Sequence, residues 1–285
     1  MLIHFPPRRI VVPIDFSPPS NAALRLAAEL GGLFGSELQL VTVLDTSPGP
    51  AALGVGDVAL PPGPPLNPAA ISDLRRKLVE AAKSYKGGVS VRALVGPPAA
   101  TIAKLARPRH GDLVVMGTHG YQWPARLVYG SVAEAVVSRA RIPVLTVRGP
   151  AGAFALRSIL CPVNMTPYSA VALSYASLAA QAAGARLTAL YVPPEASWSS
   201  DAALLLGRFL QETLGPAALS VRAAVGRGEP RAEIVRHAAA GKFDVVVLSA
   251  HRRPWSTDAI FGTTAQRIIR QACVPVLTVP ALGGR

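Results

Sequence analysis

Short apolar, β-branched runs alternate along this chain with longer stretches whose apolar residues recur every three or four positions. The run "IVVPID" (10–15) reads as a strand, and "SNAALRLAAELGGLFG" (20–35) as a helix closed by glycine. "ELQLVTVLD" (37–45) and "SVRALVG" (90–96) follow as second and third strands, and "ATIAKLARP" (100–108) as a helix. "DLVVMG" (112–117) is a fourth strand, "SVAEAVVSRA" (131–140) a helix and "IPVLTV" (142–147) a last strand. Strands that alternate with helices predict parallel pairing through right-handed crossovers. Unbroken apolar strands such as "LVVM" suit a sheet buried on both faces.

The same plan then repeats. "SVRALVG" (90–96) returns as "SVRAAVG" (220–226), and "IPVLTV" (142–147) as "VPVLTV" (274–279). "RRIVVPIDFSP" (8–18) is answered by "RSILCPVNMTP" (157–167), and "DLVVMGTHG" (112–120) by "DVVVLSAHR" (244–252). Four matches in one order mean a duplication. The expected fold is α/β, two tandem open and mostly parallel five-stranded sheets with helices on both faces. The domains are expected at 1–149 and 150–285, joined through the Gly- and Ala-rich stretch 148–157. Pairing of the two last strands would make an internal pseudo-dimer and hide two sheet edges.

One segment breaks the symmetry. From Asp15 to Ser90 the chain runs 75 residues, and from the matching Asn164 to Ser220 only 56. The excess of about nineteen lies in the Pro- and Gly-rich stretch 47–70, which leaves a strand on the side where open α/β sheets bind ligands. It is expected to be either a lid or a disordered insertion.

Composition narrows the class. Of 285 residues, 50% are hydrophobic and 16% charged, which supports an ample core. No apolar run approaches the roughly 18 residues of a membrane span, and no signal-peptide plan opens the chain. A soluble, cytoplasmic protein is the expectation. The two cysteines, Cys161 and Cys273, stand in apolar stretches and read as buried small hydrophobes. The net charge of +13 raises nucleic acid as a partner, but the basic residues are scattered and are mostly arginine. A bias toward arginine explains the charge without that partner.

The glycines around the fourth strand carry candidate chemistry. Strand four ends at Met116, "GTHG" (117–120) turns beyond it, and Gly130-Ser131 opens the next helix. Free amides at a helix start attract phosphate, and Ser131 could cap that helix or donate to a phosphate oxygen. A Cβ at Gly117, Gly120 or Gly130 would hold the backbone away from a polyphosphate or ribose, and glycine tolerates positive φ. Asp15, just past strand one, is placed to accept ribose hydroxyls. Val43 could supply an apolar wall for a base. Taken alone, a G-x-x-G is as well explained by turn punctuation.

The stretch "GTHGYQWPARLVYGS" matches the G-x2-G-x9-G-[S/T] motif of the universal stress protein family at every defined position, and "VPIDFS" and "PVLTV" agree with it. Both halves fit, so the chain resembles a tandem universal stress protein of the ATP-binding motif class. The resemblance implies a Rossmann-like, adenine nucleotide alpha hydrolase-like fold and pairing through last strands, internally or as a homodimer. It places Asp15 at the ribose and adenosine side, and Pro13, Ile14 and Val43 around adenine. Met116, Gly117, His119, Gly120, Gly130, Ser131 and Val132 would surround the ribose and phosphates. No ligand spacing supports a protein-held metal, so Mg²⁺ would arrive with the phosphates.

The second copy keeps the spacing and changes the chemistry. Ser249 and Arg252 stand for Gly117 and Gly120, and Asn164 for Asp15, while Gly262-Thr263 preserves the helix start. The second copy has then either lost its nucleotide, binds it weakly or binds another anion; a weak site there would comprise Asn164, Val192, His251, Arg252, Gly262 and Thr263, with Arg252 crowding the turn or contacting phosphate itself. The expected function is an ATP-binding regulatory or stress-response protein whose nucleotide is held mainly by the first copy. The rival readings are a slow ATPase or phosphotransferase and a nucleic-acid-associated scaffold. No Walker-type phosphate loop or kinase set supports the enzyme.

Overall fold

β1 (Arg9–Pro13) is almost wholly buried, as expected of a run with no polar alternation. The structure, a computed structural model, describes residues 5–45, 68–83, 85–108, 110–118, 130–149, 154–194, 201–240, 243–250 and 263–280. α1 (Pro18–Phe34) begins two residues before the apolar periodicity does. The reason is its cap: Ser17 accepts from the Ser20 N–H, and Pro18 sits at the first helical position, where no N–H is needed. Gly35, at φ 67°, ends the helix in the left-handed region.

β2 (Glu37–Leu44), α2 (Pro68–Ala82), β3 (Val89–Val95), α3 (Pro98–Leu105), β4 (Leu113–Gly117), α4 (Ser131–Arg139) and β5 (Val144–Val147) complete the first copy. Residues 47–67 of the expected insertion lie outside the described residues, so the lid reading has no structural account. Residues 68–70, assigned to that insertion by composition, instead open α2. The second copy runs through β6 (Ser158–Val163), α5 (Pro167–Ala183), β7 (Arg186–Tyr191), α6 (Ala202–Leu214), β8 (Val221–Val225), α7 (Pro230–Ala239), β9 (Val245–Ala250), α8 (Thr263–Gln271) and β10 (Val276–Pro280).

The strands form a single sheet in the order β3-β2-β1-β4-β5-β10-β9-β6-β7-β8. All neighbours are parallel except β5 and β10, which meet antiparallel with Leu145 opposite Leu277. The Thr146 hydroxyl donates to the Val276 carbonyl and the Thr278 hydroxyl to the Val144 carbonyl, each at 3.1 Å. The seam is thus pseudo-two-fold, and both last strands are consumed within the chain. One apolar layer, with α1 and α5, covers one face; a second, with α3, α4, α7 and α8, covers the other.

Two carboxylates repeat as structural ties. Asp112 Oδ2 accepts from the Arg8 and Arg9 N–H groups at 3.0 Å, and Asp244 Oδ2 from those of Arg157 and Ser158 at 2.9 and 2.7 Å. Each fastens the start of its copy's first strand to the start of the fourth.

The copies differ in one register. Ile10 matches Ile159, so Leu38 and Leu187, one strand over, are equivalent. Leu38 pairs with Val89, but Leu187 pairs with Val221, the equivalent of Val91. The third strand of the second copy is therefore slipped by two residues. An even slip keeps every side chain on its own face, which makes it compatible with the core. The chain recovers alignment in the next loop: Gly96 is two residues from Pro98, while Gly226 is four from Pro230. Of the cysteines, Cys161 is buried, and burial pushes its thiol up to about 12. Cys273 is exposed, contrary to the expectation from its apolar neighbours, because it falls between α8 and β10.

Candidate functional site

A cavity of about 400 Å³ opens at the carboxyl ends of β1, β2 and β4. Its size is that of a small-molecule pocket. Of the residues named from sequence, Pro13, Ile14, Asp15, Val43, Met116, Gly117, Gly130, Ser131 and Val132 all line it. His119 and Gly120 lie outside the described residues.

The cavity has two chemical ends. At one, Val41 and Val43 of β2 face Pro98 and Ile102 of α3, an apolar slot. At the other, α4 presents its first turn. Gly130, Ser131, Val132 and Ala133 line the cavity there, and the N–H groups of residues 131–133 have no intrahelical acceptor. The Gly130 N–H is not among the free donors, since it binds the Thr118 carbonyl at 2.7 Å. Ser131 does not cap the helix either; Gly130 is the N-cap, without a side-chain bond, and Ser131 is an exposed first-turn residue. Ser131 lines the cavity wall rather than capping the helix. Glu134, an acid in that turn, would oppose an anion, but it faces the other copy and binds Gln266 and Arg270 of α8.

Asp15 stands between the ends. Its Oδ1 accepts from the Ser17 N–H at 3.0 Å and hydroxyl at 2.6 Å, a turn completed by Phe16 at φ 64°. The carboxylate itself is exposed. Gly117 serves a purpose that the motif did not reveal. A Cβ there would come within 2.8 Å of the Pro19 backbone and 2.9 Å of that of Ser20, so the bare position lets α1 pack on β4. Gly130 has φ −61° and needs no left-handed freedom.

Residues missed from sequence include Asp45, Val41, Ile102 and Thr118. Two were accessible: Val41 and Asp45 flank Val43 at strand period two and share its face. Ile102 requires knowing that α3 lies over β2.

In the second copy, Asn164 reproduces the turn without the charge. Thr166 donates its hydroxyl to Asn164 Oδ1 at 2.7 Å, and Met165 takes φ 58°. Val192 is buried where Val43 is only half-buried. Thr263 opens α8, and His251, Arg252 and Gly262 lie outside the described residues. Among the described residues no group of three His, Cys, Asp or Glu is placed to hold a metal, and no helix is long and apolar enough to cross a membrane.

The model of the universal stress protein family matches twice, over residues 7–148 and 155–280. The chain belongs to the universal stress protein family. A curated universal stress protein of Mycolicibacterium smegmatis is 25% identical over 293 residues, covering 95% of this chain and 96% of the relative. The universal stress protein MJ0531 of Methanocaldococcus jannaschii is 32% identical over 151 residues, covering 50% of this chain and 83% of its own length. The crystal structure of a universal stress protein from Archaeoglobus fulgidus superposes with a TM-score of 0.72 at 18% identity, over 96% of this chain and 98% of that one. That likeness spans both copies and concerns the fold.

Proposed function

We propose that the first copy binds an adenine nucleotide, ATP in particular, and that the protein acts as a stress-linked nucleotide-binding module. The observation that carries this reading is one cavity with an apolar slot at one end, an exposed carboxylate in the middle and a helix N-terminus at the other. A base fits between Val43 and Ile102, ribose hydroxyls can donate to Asp15, and phosphates meet the α4 amides and dipole. Mg²⁺ would enter on the phosphates. In the second copy Asn164 offers one amide oxygen already engaged by Thr166, so the ribose anchor is weakened there. The domains would then fall at 1–149 and 150–285, the first a binding unit and the second its fixed partner.

Titration of the full chain with ATP and Mg²⁺ tests this. One equivalent per chain is expected. Asp15→Ala should weaken it roughly 10- to 100-fold, the loss of charge-assisted hydrogen bonds of about 1.5–3 kcal/mol. Absence of binding at millimolar ATP would overturn the reading.

A further inference from the structure

The two-residue slip of β8 changes what stands beside the second copy's equivalent of the base slot. In the first copy Val43 pairs across the sheet with Leu94, whose side chain packs on the same apolar face. In the second copy Tyr191 pairs with Val225, so the next rung sets Val192 beside Gly226, which has no side chain. The room left is taken from above by α7. Glu233 Cγ lies 2.7 Å, Glu233 Oε1 3.0 Å and Val192 Cγ2 3.0 Å from the point a Cβ on Gly226 would occupy. Counted from Pro98 and Pro230, which open α3 and α7, the first-copy residue at this helix position is the shorter Thr101.

Glu233 is held firmly in that place. It is only 8% exposed, and its carboxylate accepts from Arg236 Nε at 2.8 Å and Nη2 at 2.6 Å. His237 Nδ1 lies 3.5 Å from Oε1. The two-point contact fixes the direction of the carboxylate, while the Arg236 side chain itself reaches toward solvent. Its presence fits the burial of Val192, whereas Val43 remains open to the cavity.

We propose that the second copy carries its own occupant: Glu233 fills the slot beside Val192 and excludes a base, so the site is closed sterically as well as stripped of its ribose acceptor. Glu233 is thus the residue that decides which copy takes a nucleoside. The inference rests on the reading that the first copy holds its base against Val43.

Adenosine is the suitable probe, since it has no phosphate and reports the base and ribose contacts without those of the helix start. Calorimetric titration of the full chain should give one equivalent for the wild type and for Asn164→Asp. Adding Glu233→Thr to Asn164→Asp should give two, and adding Glu233→Gln, which keeps the bulk, should leave one. The first-copy equivalent reports in every variant that the chain is folded. Two equivalents with Asn164→Asp alone or with the Gln variant would overturn the proposal, as would one with the Thr variant. If the wild type binds no adenosine or ATP, the nucleotide reading fails, and this inference fails with it.

Discussion

The two copies share a scaffold and differ at its mouth. Asp112 and Asp244 make the same ties, Phe16 and Met165 the same left-handed turn, and Thr146 and Thr278 the same bond across the seam. At the cavity they diverge, Asp15 against Asn164 and Gly117 against Ser249, and beside it Thr101, which packs against Gly96, is answered by Glu233. Duplication has preserved what closes the sheet and released what lies at the cavity. The second copy keeps its last strand paired with that of the first even where its site has changed.

The shared scaffold is the first place to test this comparison. Asp112→Ala and Asp244→Ala should each destabilise the chain by roughly 2–3 kcal/mol, because each strips two backbone N–H groups of a charged acceptor. Chemical denaturation should return similar losses; a large effect from only one would break the symmetry. Gly117→Ala should cost roughly 1–3 kcal/mol by driving a methyl into the α1 backbone, while Ser249→Ala stays within about 0.5 kcal/mol. Equal effects would mean that the two helix contacts do not differ.

Smaller effects sharpen the picture. Tyr175 of α5 is buried against Phe5, rings 5.2 Å apart, and its hydroxyl has no hydrogen-bond partner among the described residues. Burial pushes its phenol well above the usual range, and the Asp112 charge acts in the same direction. Tyr175→Phe should therefore stabilise the chain by about 1 kcal/mol, raising the melting temperature by roughly 2–4 °C. Glu233 should show in the acid limb of stability. Its bonds to Arg236 hold its carboxyl below the ordinary carboxylate range. Its contribution is therefore present above that range and is lost as pH falls through the depressed value. Glu233→Gln should flatten that limb, and an unchanged limb would remove the pair from the stability account.

The repeat, the strand–helix alternation and most of the cavity's lining were legible because they rest on local periodicity and on a spaced motif. What was not legible depends on contacts distant in sequence. Gly117 does line the cavity, but that Pro19 and Ser20, about a hundred positions earlier, also need its bareness could not be read. The slip of β8 could not be read, since "SVRALVG" and "SVRAAVG" are nearly identical and register is set by the partner strand. Cys273 misled because apolar neighbours imply burial only inside an element.

The most direct measurement is the number of ATP molecules bound per chain, read by native mass spectrometry and titration in the wild type, Asp15→Ala and Asn164→Ala. The account predicts one ATP in the wild type, lost or greatly weakened in Asp15→Ala and unchanged in Asn164→Ala. Two ATP per chain, or equal losses in the two variants, would contradict it.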